Sequence, residues 1–367
     1  MILHLLFDSQ FSDYVIKQFR LEEMQSDFVL VSDTNLMQYF QSVDAVRIVN
    51  PSIESEMDQL LEDIAKYKSV IFHGLFYEWQ EWLLNRWPKH VKVAWVCWGG
   101  EVYAQPDIRR LFLKPFSKII DILYRVRRFQ RNIEDIFSKE LFEKADYLLT
   151  NVEAEYKFVR KYIGTGIHYL PYNYYSIDET LGELKLSTVH GKNVFLGNSA
   201  TIENNHFEAM LQLKRLGIGN LKIVMPLSYG VPWVRNICLK VGKRLFKDNF
   251  QPILKFMPRV EYNATMLECA VMIQAHLREQ AHGNIVTGLW LGMRVYLSDK
   301  SIDYQHFKLL GCHLYSIEKD LRRSNPNALL PLSADEIAHN RTILLNAYGR
   351  ERIQYNVQKI VEVLNTD

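Results

Sequence analysis

Small polar residues and glycines follow several short apolar runs in this chain, as they do in loops after buried strands. One group joins His73-Gly74 to a later Trp98-Gly99-Gly100-Glu101 segment. Glycine permits a positive φ or a close backbone approach, and a carboxylate beside it can act as a base. Glu101 is therefore the first candidate for a general base and His73 the second. The alternative is a tight turn with a solvated Glu101 and a capping His73.

A second group is Gly197-Asn198-Ser199, followed by Asn204-Asn205 at the start of a predicted helix. Free backbone N–H groups and the positive end of the helix dipole make such a turn a candidate anion site. The segment contains neither a G-x-G-x-x-G fingerprint nor a Walker P-loop, so a dehydrogenase or a P-loop NTPase is disfavoured. An ordinary helix start with Asn204 as N-cap is the equally open alternative.

A third group, 278–284, follows the apolar run AVMIQ and precedes another predicted helix. Arg278 can form bidentate hydrogen bonds to a phosphate, and the amides of Gly283 and Asn284 can cap it. Two such loops in one half of the chain favour a ligand that carries a diphosphate. Four residues near neighbouring elements can hold a nucleoside by stacking and by hydrogen bonds to the ribose: Pro226, Tyr229, Glu261 and Tyr262. Packing is the alternative for all four, and it is the favoured explanation for Tyr262.

The stretch 108–131 carries eight basic residues and a single acid, Asp121. Helical spacing places basic residues on one face and apolar residues on the other, which is typical of a helix that lies on a membrane surface. The predicted membrane contacts are Lys114, Lys118, Arg125, Arg127 and Arg128. Two alternatives stay open: a core-packed helix with a solvated basic side, and an RNA-binding segment, which the absence of an RNA-binding motif weakens.

Alternating strands and helices must position these groups, and such alternation predicts an α/β protein with mainly parallel sheets. The predicted strands are 2–7, 28–31, 46–49, 70–73, 93–97, 147–150, 194–196, 222–225, 270–274 and 295–297. A polar stretch at 176–192 separates two series of elements. We expect Rossmann-like domains at 1–185 and 190–335 that face a central cleft, with outer helices at 336–367. Ligands of such sheets bind beyond the carboxyl ends of the strands.

Composition excludes several classes of protein. The chain has 367 residues, with 44 Lys and Arg against 42 Asp and Glu, so a globally basic nucleic-acid binder is disfavoured. No apolar run reaches the ~20 residues of a membrane-spanning helix. The four cysteines form no C-x-x-C pair, which argues against a zinc site or a disulfide framework. The first residues lack a basic region before Asp8, so we expect no signal peptide and a cytoplasmic location.

Several motifs in order resemble those of glycosyltransferase family 56, the N-acetylfucosamine transferases of enterobacterial common antigen synthesis. The matching segments, within about residues 70–300, are FHGLF at 72–76, WGGEVY at 98–103, GNSATIENNH at 197–206, VMPLSYG at 224–230, REQAHGN at 278–284 and GLWLGMRVYLS at 288–298. The family reads WGADLY where this chain has Glu101, so the carboxylate is kept. Its FARQQGIGT-type loop differs from this chain at Gln280 to Gly283.

The resemblance implies a GT-B fold, with the acceptor on the N-terminal domain and a nucleotide-sugar donor, dTDP-linked, on the C-terminal domain. It also implies a polyprenyl-diphosphate-linked saccharide as acceptor, at the cytoplasmic face of the bacterial inner membrane. The chain shows no D-x-D motif in a suitable loop, and we expect catalysis without a metal or another cofactor. The alternatives are a UDP- or GDP-sugar donor and a non-catalytic nucleotide-binding module at the membrane. The sugar, the linkage and the anomeric outcome stay open.

The resemblance assigns the candidate residues to two sides. The acceptor side comprises Gly74, Trp98, Gly99, Gly100 and Tyr103, around the candidate bases. The donor side comprises Gly197, Asn198, Ser199, Asn204, Asn205, Pro226, Tyr229, Glu261, Tyr262, Arg278, Gln280, Gly283 and Asn284. We expect the nucleotide-sugar donor, the lipid-linked saccharide and an anionic membrane surface as partners, and no nucleic acid.

Overall fold

The computed structural model describes residues 1–20, 26–34, 36–128, 139–164 and 166–366, without the side chains of residues 106 and 125–128. Contacts divide the chain into two compact units. The first comprises Met1–Gln105, Glu134–Ser176 and Arg350–Asp367, and the second comprises Pro106–Ile133 and Ile177–Gly349. Each unit is built on one parallel sheet.

Thirteen strands and sixteen α-helices lie within the described residues. The strands are β1 Ile2–Leu6, β2 Ser26–Val31, β3 Arg47–Val49, β4 Ser69–Phe72, β5 Lys92–Val96, β6 Tyr147–Thr150, β7 His168–Pro171, β8 Asn193–Leu196, β9 Ile223–Pro226, β10 Phe250–Ile253, β11 Cys269–Gln274, β12 Arg294–Leu297 and β13 Tyr315–Ser316. The helices are α1 Ser12–Phe19, α2 Glu54–Ile64, α3 Glu78–Leu84, α4 Gly100–Tyr103, α5 Pro106–Arg109, α6 Pro115–Arg128, α7 Lys139–Phe142, α8 Glu153–Ile163, α9 Ile177–Leu181, α10 His206–Leu216, α11 Pro232–Phe246, α12 Arg259–Leu267, α13 His282–Leu291, α14 Ile302–Leu309, α15 Ala334–Tyr348 and α16 Arg350–Asn365. Short 3₁₀ turns lie at Val43–Ala45, Arg110–Phe112, Gly182–Leu186, Ile202–Asn204 and Lys247–Asn249.

The strand order of each sheet is that of a Rossmann fold. The first unit has the order β3-β2-β1-β4-β5-β6-β7, and the second has β10-β9-β8-β11-β12-β13. All pairings are parallel. The order reverses between β1 and β4 in the first sheet and between β8 and β11 in the second. Such a switch point opens a crevice at the carboxyl ends of the strands, where ligands bind. The prediction of two Rossmann-like α/β domains is confirmed.

Continuous apolar runs form the central strands because helices cover both faces of a parallel sheet. Every residue of β1, β4 and β11 is buried. All ten predicted strands are present, with bounds shifted by at most two residues. The sequence analysis missed β7, β10 and β13, which lie at sheet edges. Edge strands bury less surface, so their sequences carry a weaker apolar signal.

Three segments belong to a different unit than the predicted domains imply: 106–128, 177–185 and 350–366. The stretch 106–128 belongs to the second unit, because Leu113 lies in its hydrophobic core and Asn205 hydrogen-bonds to Phe112 O and Lys114 N. Helix α16 belongs to the first unit, where Val357, Ile360 and Leu364 lie in the core. The predicted outer segment 336–367 is therefore divided between the units, with α15 in the second. Among the described residues, no helix combines the length and the apolar character needed to cross a bilayer.

Candidate functional site

Strand β8 ends in a turn that requires glycine. Gly197 has a φ of +69°, and a Cβ at this position would lie 2.3 Å from the ring of His206. That ring is buried, and its Nε2 lies 2.7 Å from the carbonyl oxygen of Ser199. Burial lowers the pKa of His206 to about 4. The neutral imidazole therefore fills the space that a side chain on residue 197 would occupy.

The side chain of Asn198 connects three loops at the carboxyl edge of the second sheet. Its Nδ2 donates to the hydroxyl of Tyr229 at 3.1 Å, and its Oδ1 accepts from Nε2 of Gln280 at 3.0 Å. These loops follow β8, β9 and β11. The structure thus brings together three residues that the sequence placed on the donor side.

Asn204 and Asn205 stabilise the turn after β8. Nδ2 of Asn204 donates to the carbonyl and the hydroxyl oxygens of Ser199, at 3.1 and 3.0 Å. Asn205 is the N-cap of α10, in the left-handed region, and its Nδ2 donates to Phe112 O and Ala275 O. The alternative that made Asn204 the N-cap is therefore wrong by one residue. Both side chains hold backbone oxygens in place.

Helix α13 begins at His282, three residues before the predicted Ile285, with Ala281 as a left-handed N-cap. Gly283 and Asn284 therefore lie in its first turn, where backbone N–H groups have no partner within the helix. Nδ2 of Asn284 donates to the hydroxyl of Tyr262 at 2.9 Å. This N-terminus lies at the end of the loop after β11, as an anion site requires.

The other donor-side candidates occupy different positions. Pro226 is the last residue of β9, and Glu261 lies exposed in α12. Arg278 is half-buried, and its Nη1 donates to Glu279 O at 2.9 Å. Burial raises the pKa of Tyr229, while Asn198, Ser199 and the charge of Arg278 act to lower it. Arg278 is therefore close enough to Tyr229 for its charge to act there.

A buried Asp303 anchors the loop after β11, and the sequence analysis missed it. Its Oδ2 accepts from Nε2 of His276 at 3.0 Å and from the backbone N of Gln280 at 3.1 Å. Burial acts to raise the pKa of Asp303, but the hydrogen bond from His276 and the proximity of the two imidazoles, His276 and His282, outweigh it and lower the pKa. The signal was available, because Asp303 follows the carboxyl end of β12.

One group of side chains around this loop is of metal-ligand type. Glu279, His282 and Asp303 each place a ligand-type atom within 4.8 Å of the others. Nδ1 of His282 lies 3.9 Å from Oδ1 of Asp303. Asp303 already accepts hydrogen bonds from His276 and from the backbone of Gln280, so a cation would compete with contacts that the protein already makes.

Glu101 is fully buried in the first unit. Its Oε1 accepts from Nε1 of Trp95 and from the backbone N of Trp98, both at 3.0 Å, and its Oε2 has no hydrogen-bond partner among the described residues. Burial raises its pKa from 4.5 to about 7, against the hydrogen bonds from Trp98 and Trp95. In this conformation the carboxylate anchors the turn after β5, and it is not the solvated residue of the alternative interpretation.

His73 belongs to a network of side-chain hydrogen bonds in the first unit. Its Nε2 lies 3.1 Å from Nδ1 of His4, and its Nδ1 lies 3.3 Å from the hydroxyl of Tyr174. That hydroxyl also accepts from Nε1 of Trp98 at 2.6 Å. Burial lowers the pKa of His73 to about 3, so the ring is neutral. The sequence analysis missed His4 and Tyr174, because no local pattern connects them to His73.

The other predicted acceptor-side residues lie near Glu101 and His73 in the sequence. Gly74 and Gly99 have positive φ, at +95° and +81°, and Gly100 begins α4. Trp98 is half-buried. Tyr103 is buried and stacks on Phe158 at a ring-centroid distance of 5.8 Å, which is a packing contact.

Helix α6 packs inward with polar side chains and with Ile120, which lies against the core of the second unit. Ser117 donates through its N and Oγ to Glu208, at 2.9 and 2.7 Å, and the buried Asp121 pairs with Arg109. Lys114 pairs with Glu318 at 2.8 Å, while Lys118 is exposed. Large apolar side chains are left exposed, each by about half or more: Leu111, Phe116, Ile119, Ile122 and Leu123. The alternative of a helix with its apolar face in the core is therefore wrong. The side chains of Arg125, Arg127 and Arg128 lie outside the described residues.

No family model matches the chain, and no curated protein sequence matches it. Solved structures do. A glycosyltransferase from Rickettsia africae ESF-5 is 10% identical, with 100% of this chain and 99% of that chain covered, at a TM-score of 0.65. Sucrose-phosphate synthase from Thermosynechococcus elongatus is 10% identical, with 99% of each chain covered, at a TM-score of 0.62. An α,α-trehalose 6-phosphate synthase from Burkholderia multivorans is 9% identical, with 99% of this chain and 95% of that chain covered, at a TM-score of 0.61.

At this level of identity the likeness concerns the fold. It extends over both units, and the strand order of each sheet agrees with it. The chain has the GT-B fold, with two Rossmann-like domains.

Proposed function

We propose that the protein is a GT-B glycosyltransferase that moves a sugar from a nucleotide diphosphate to a polyprenyl-diphosphate-linked saccharide. The observation that carries the proposal is the convergence of three predicted donor loops at the switch point of the second sheet, through Asn198, Tyr229 and Gln280. The motif resemblance favours a dTDP-linked deoxy-acetamido sugar such as N-acetylfucosamine. UDP- and GDP-sugars are the alternatives for the donor.

The donor loops offer groups for a diphosphate. Arg278 supplies a positive charge, and the first turn of α13 supplies backbone N–H groups and the positive end of a helix dipole. Oε1 of Gln280 and both ring nitrogens of His282 are buried and have no hydrogen-bond partner among the described residues. Such groups become satisfied when a polar ligand binds.

In the proposed reaction an acceptor hydroxyl attacks the anomeric carbon of the donor sugar, and the nucleotide diphosphate leaves. Negative charge develops on the leaving diphosphate, where Arg278 and the α13 dipole would stabilise it. These groups take the electrostatic role that a metal has in other transferases, so we propose that transfer needs no metal. A base on the acceptor side receives the proton of the hydroxyl, with Glu101 the first candidate and His73 the second.

Glu101 would act through its unpartnered Oε2. Its pKa of about 7 suits a base that works near neutral pH. Because the carboxylate is buried, the turn that contains Gly99 and Gly100 would have to open as the acceptor binds. Catalytic hydrogen bonds often form only in the substrate complex, so burial in the free protein does not exclude this role.

The proposal is tested by binding and then by turnover. We expect dTDP, UDP or GDP at ~100 times its dissociation constant to stabilise the protein by about 2.7 kcal/mol, which raises the melting temperature of a chain of 367 residues by roughly 3–4 °C. The same shift is expected in EDTA. Donor mixed with lipid-linked acceptor should then release nucleotide diphosphate, also in EDTA.

Each outcome separates the alternatives. An unchanged melting temperature with all three nucleotides would contradict the donor site. Nucleotide binding without release would indicate a non-catalytic module. Loss of release in EDTA would overturn metal independence, and Glu279, His282 and Asp303 would then be the ligand candidates to mutate.

We propose that the protein acts as a peripheral protein at the cytoplasmic face of the bacterial inner membrane, where a polyprenyl-linked acceptor is found. The support is α6, whose exposed side combines Phe116, Ile119 and Leu123 with Lys118. Apolar side chains can insert at the headgroup boundary, and each basic residue near an anionic leaflet contributes about 1 kcal/mol.

Replacing Ile119 and Leu123 with Asp should weaken vesicle binding by at least about tenfold. Each buried apolar side chain contributes about 1.5–3 kcal/mol, and 1.4 kcal/mol corresponds to tenfold. The measurement is co-sedimentation with phosphatidylglycerol vesicles. Leu345→Asp is the matched control, since Leu345 is an exposed apolar residue on α15. Equal binding by the double variant and the control would reject α6 as the membrane contact.

A further inference from the structure

The first unit contains a cavity of about 640 Å³ that none of the site residues above defines. Its size lies within the range of about 300–1,000 Å³ that is usual for small-molecule sites. It lies between the first turns of α2 and the loop and helix that follow β4. Its lining is Pro51, Ser52, Glu54, Met57, Phe76, Tyr77, Glu78, Trp79 and Trp82.

Aromatic rings and carboxylates together line this cavity. The rings of Tyr77 and Trp79 are nearly parallel, with 12° between their planes and 6.3 Å between their centroids. Tyr77 is 42% exposed. The side chains of Glu54 and Glu78 are also exposed beside these rings. The cavity therefore offers flat apolar faces with hydrogen-bond acceptors next to them.

A buried glutamine holds the loop in the conformation that presents these rings. Oε1 of Gln80 accepts from the backbone N of Phe76 and of Tyr77, at 2.6 and 3.0 Å, and its Nε2 donates to Gly74 O at 2.7 Å. Gln80 is 1% exposed. Because these three bonds fix the backbone, the rings are preorganised and less conformational entropy is lost when a ligand binds.

Ring contacts link the lining of the cavity to the predicted acceptor side. The ring of Phe7 lies 5.5 Å from Tyr77 and 5.1 Å from Trp98, between centroids. Phe76 lies 5.9 Å from Trp98. Trp98 in turn donates to Tyr174, which contacts His73. One aromatic cluster therefore connects the cavity to the residues from which we expect the base.

We propose that this cavity, the aromatic cavity, is a saccharide subsite that binds a sugar of the acceptor other than the one that is glycosylated. The inference rests on the proposed function. Pyranose rings have apolar C–H faces that pack on aromatic rings, and their hydroxyls donate to carboxylates. Two carboxylates repel a diphosphate or an acidic sugar, so the bound sugar is neutral or basic.

Kinetics of aromatic-cavity variants test the subsite. Trp79→Ala should raise KM for the lipid-linked acceptor by about tenfold, with little change in kcat and in the melting-temperature shift given by the nucleotide. Trp79→Phe keeps a ring and should recover most of the affinity. Tyr77→Ala has a matched control in Tyr355→Ala, because Tyr355 is 52% exposed on α16 of the same unit. The control should leave KM unchanged.

A binding experiment tests the subsite without requiring glycosyl transfer. The probes are neutral disaccharides, N,N′-diacetylchitobiose and maltose, observed by saturation-transfer NMR with the wild type and Trp79→Ala. We expect a saturation-transfer signal from at least one disaccharide with the wild type, and we expect that signal to be lost with Trp79→Ala. Equal saturation-transfer signals with both proteins would overturn the subsite. The absence of a signal from either disaccharide, together with an unchanged KM for the acceptor in Trp79→Ala, would also overturn it. Sugar binding that is lost in Trp79→Ala, in a protein that shows no nucleotide release, supports the subsite and rejects the transferase proposal.

Discussion

Glu101→Gln is expected to lower turnover by about 10²- to 10⁴-fold with little change in donor affinity. Glutamine keeps the size of the side chain and an oxygen that can accept from Trp95 and Trp98, but it cannot accept a proton. If Glu101 is the base, kcat/KM of the wild type should rise with pH through about 7, because the carboxylate form is the active one and its pKa is about 7. The measurements are nucleotide release and donor affinity between pH 5.5 and 8.5.

The same variant has a signature in stability. The folded-state pKa of Glu101 is raised from 4.5 to about 7, so the folded protein holds this proton more tightly than the unfolded chain. The group's contribution to stability is fully present below pH 4.5 and is lost as pH rises through about 7, in total roughly 3 kcal/mol. Glu101→Gln does not titrate, so its melting temperature relative to the wild type should improve between pH 5 and 8.

Glu155→Gln is the matched control for Glu101→Gln, since Glu155 is another buried carboxylate of the first unit. It should keep turnover near that of the wild type. Its negative charge raises the pKa of Glu101, so its removal should shift the pH profile to lower pH. Near-normal turnover in a stably folded Glu101→Gln protein would contradict the base assignment. Glu101 would then be an anchor of the turn, and His73 would be mutated next.

Gly197→Ala should lower the free energy of unfolding by about 2–5 kcal/mol and abolish the nucleotide-induced stabilisation. The left-handed backbone costs about 1–2 kcal/mol for a residue with a Cβ. Overpacking against the ring of His206, 2.3 Å away, adds about 1–3 kcal/mol. That ring cannot move aside without breaking its hydrogen bond to Ser199 O. Thermal unfolding with and without dTDP, UDP and GDP measures both effects.

Gly219→Ala is the control for the backbone contribution. Gly219 has a φ of +59° in the same unit, and a Cβ there would meet no atom within 4 Å. It should show only the left-handed cost and should keep the nucleotide response. Equal destabilisation by the two substitutions would show that the ring of His206 yields. A normal nucleotide response in Gly197→Ala would place the donor elsewhere than the turn after β8.

Local patterns were sufficient to predict the central strands and the fold class. Runs such as VFLG and KIVM are apolar throughout, and a strand that is buried on both faces requires that pattern. The candidate loops also followed from the sequence, because the functional residues of a parallel sheet lie just after its strands. The residues that line the aromatic cavity follow no periodic pattern in the sequence. The sequence indicated part of its loop only through the FHGLF motif.

Other features depend on contacts between residues far apart in the chain. His4 and His73 meet because β1 and β4 are neighbours in the first sheet. The helical spacing of α6 predicted an amphipathic helix, but ion pairs and hydrogen bonds with Arg109, Glu208 and Glu318 decided which face points outward. The burial of Glu101, and with it a pKa near 7, depends on the indole of Trp95 and the turn around Trp98. Periodicity and residue type are local properties and were readable from the sequence, whereas burial, charge environment and unit membership are set by tertiary packing.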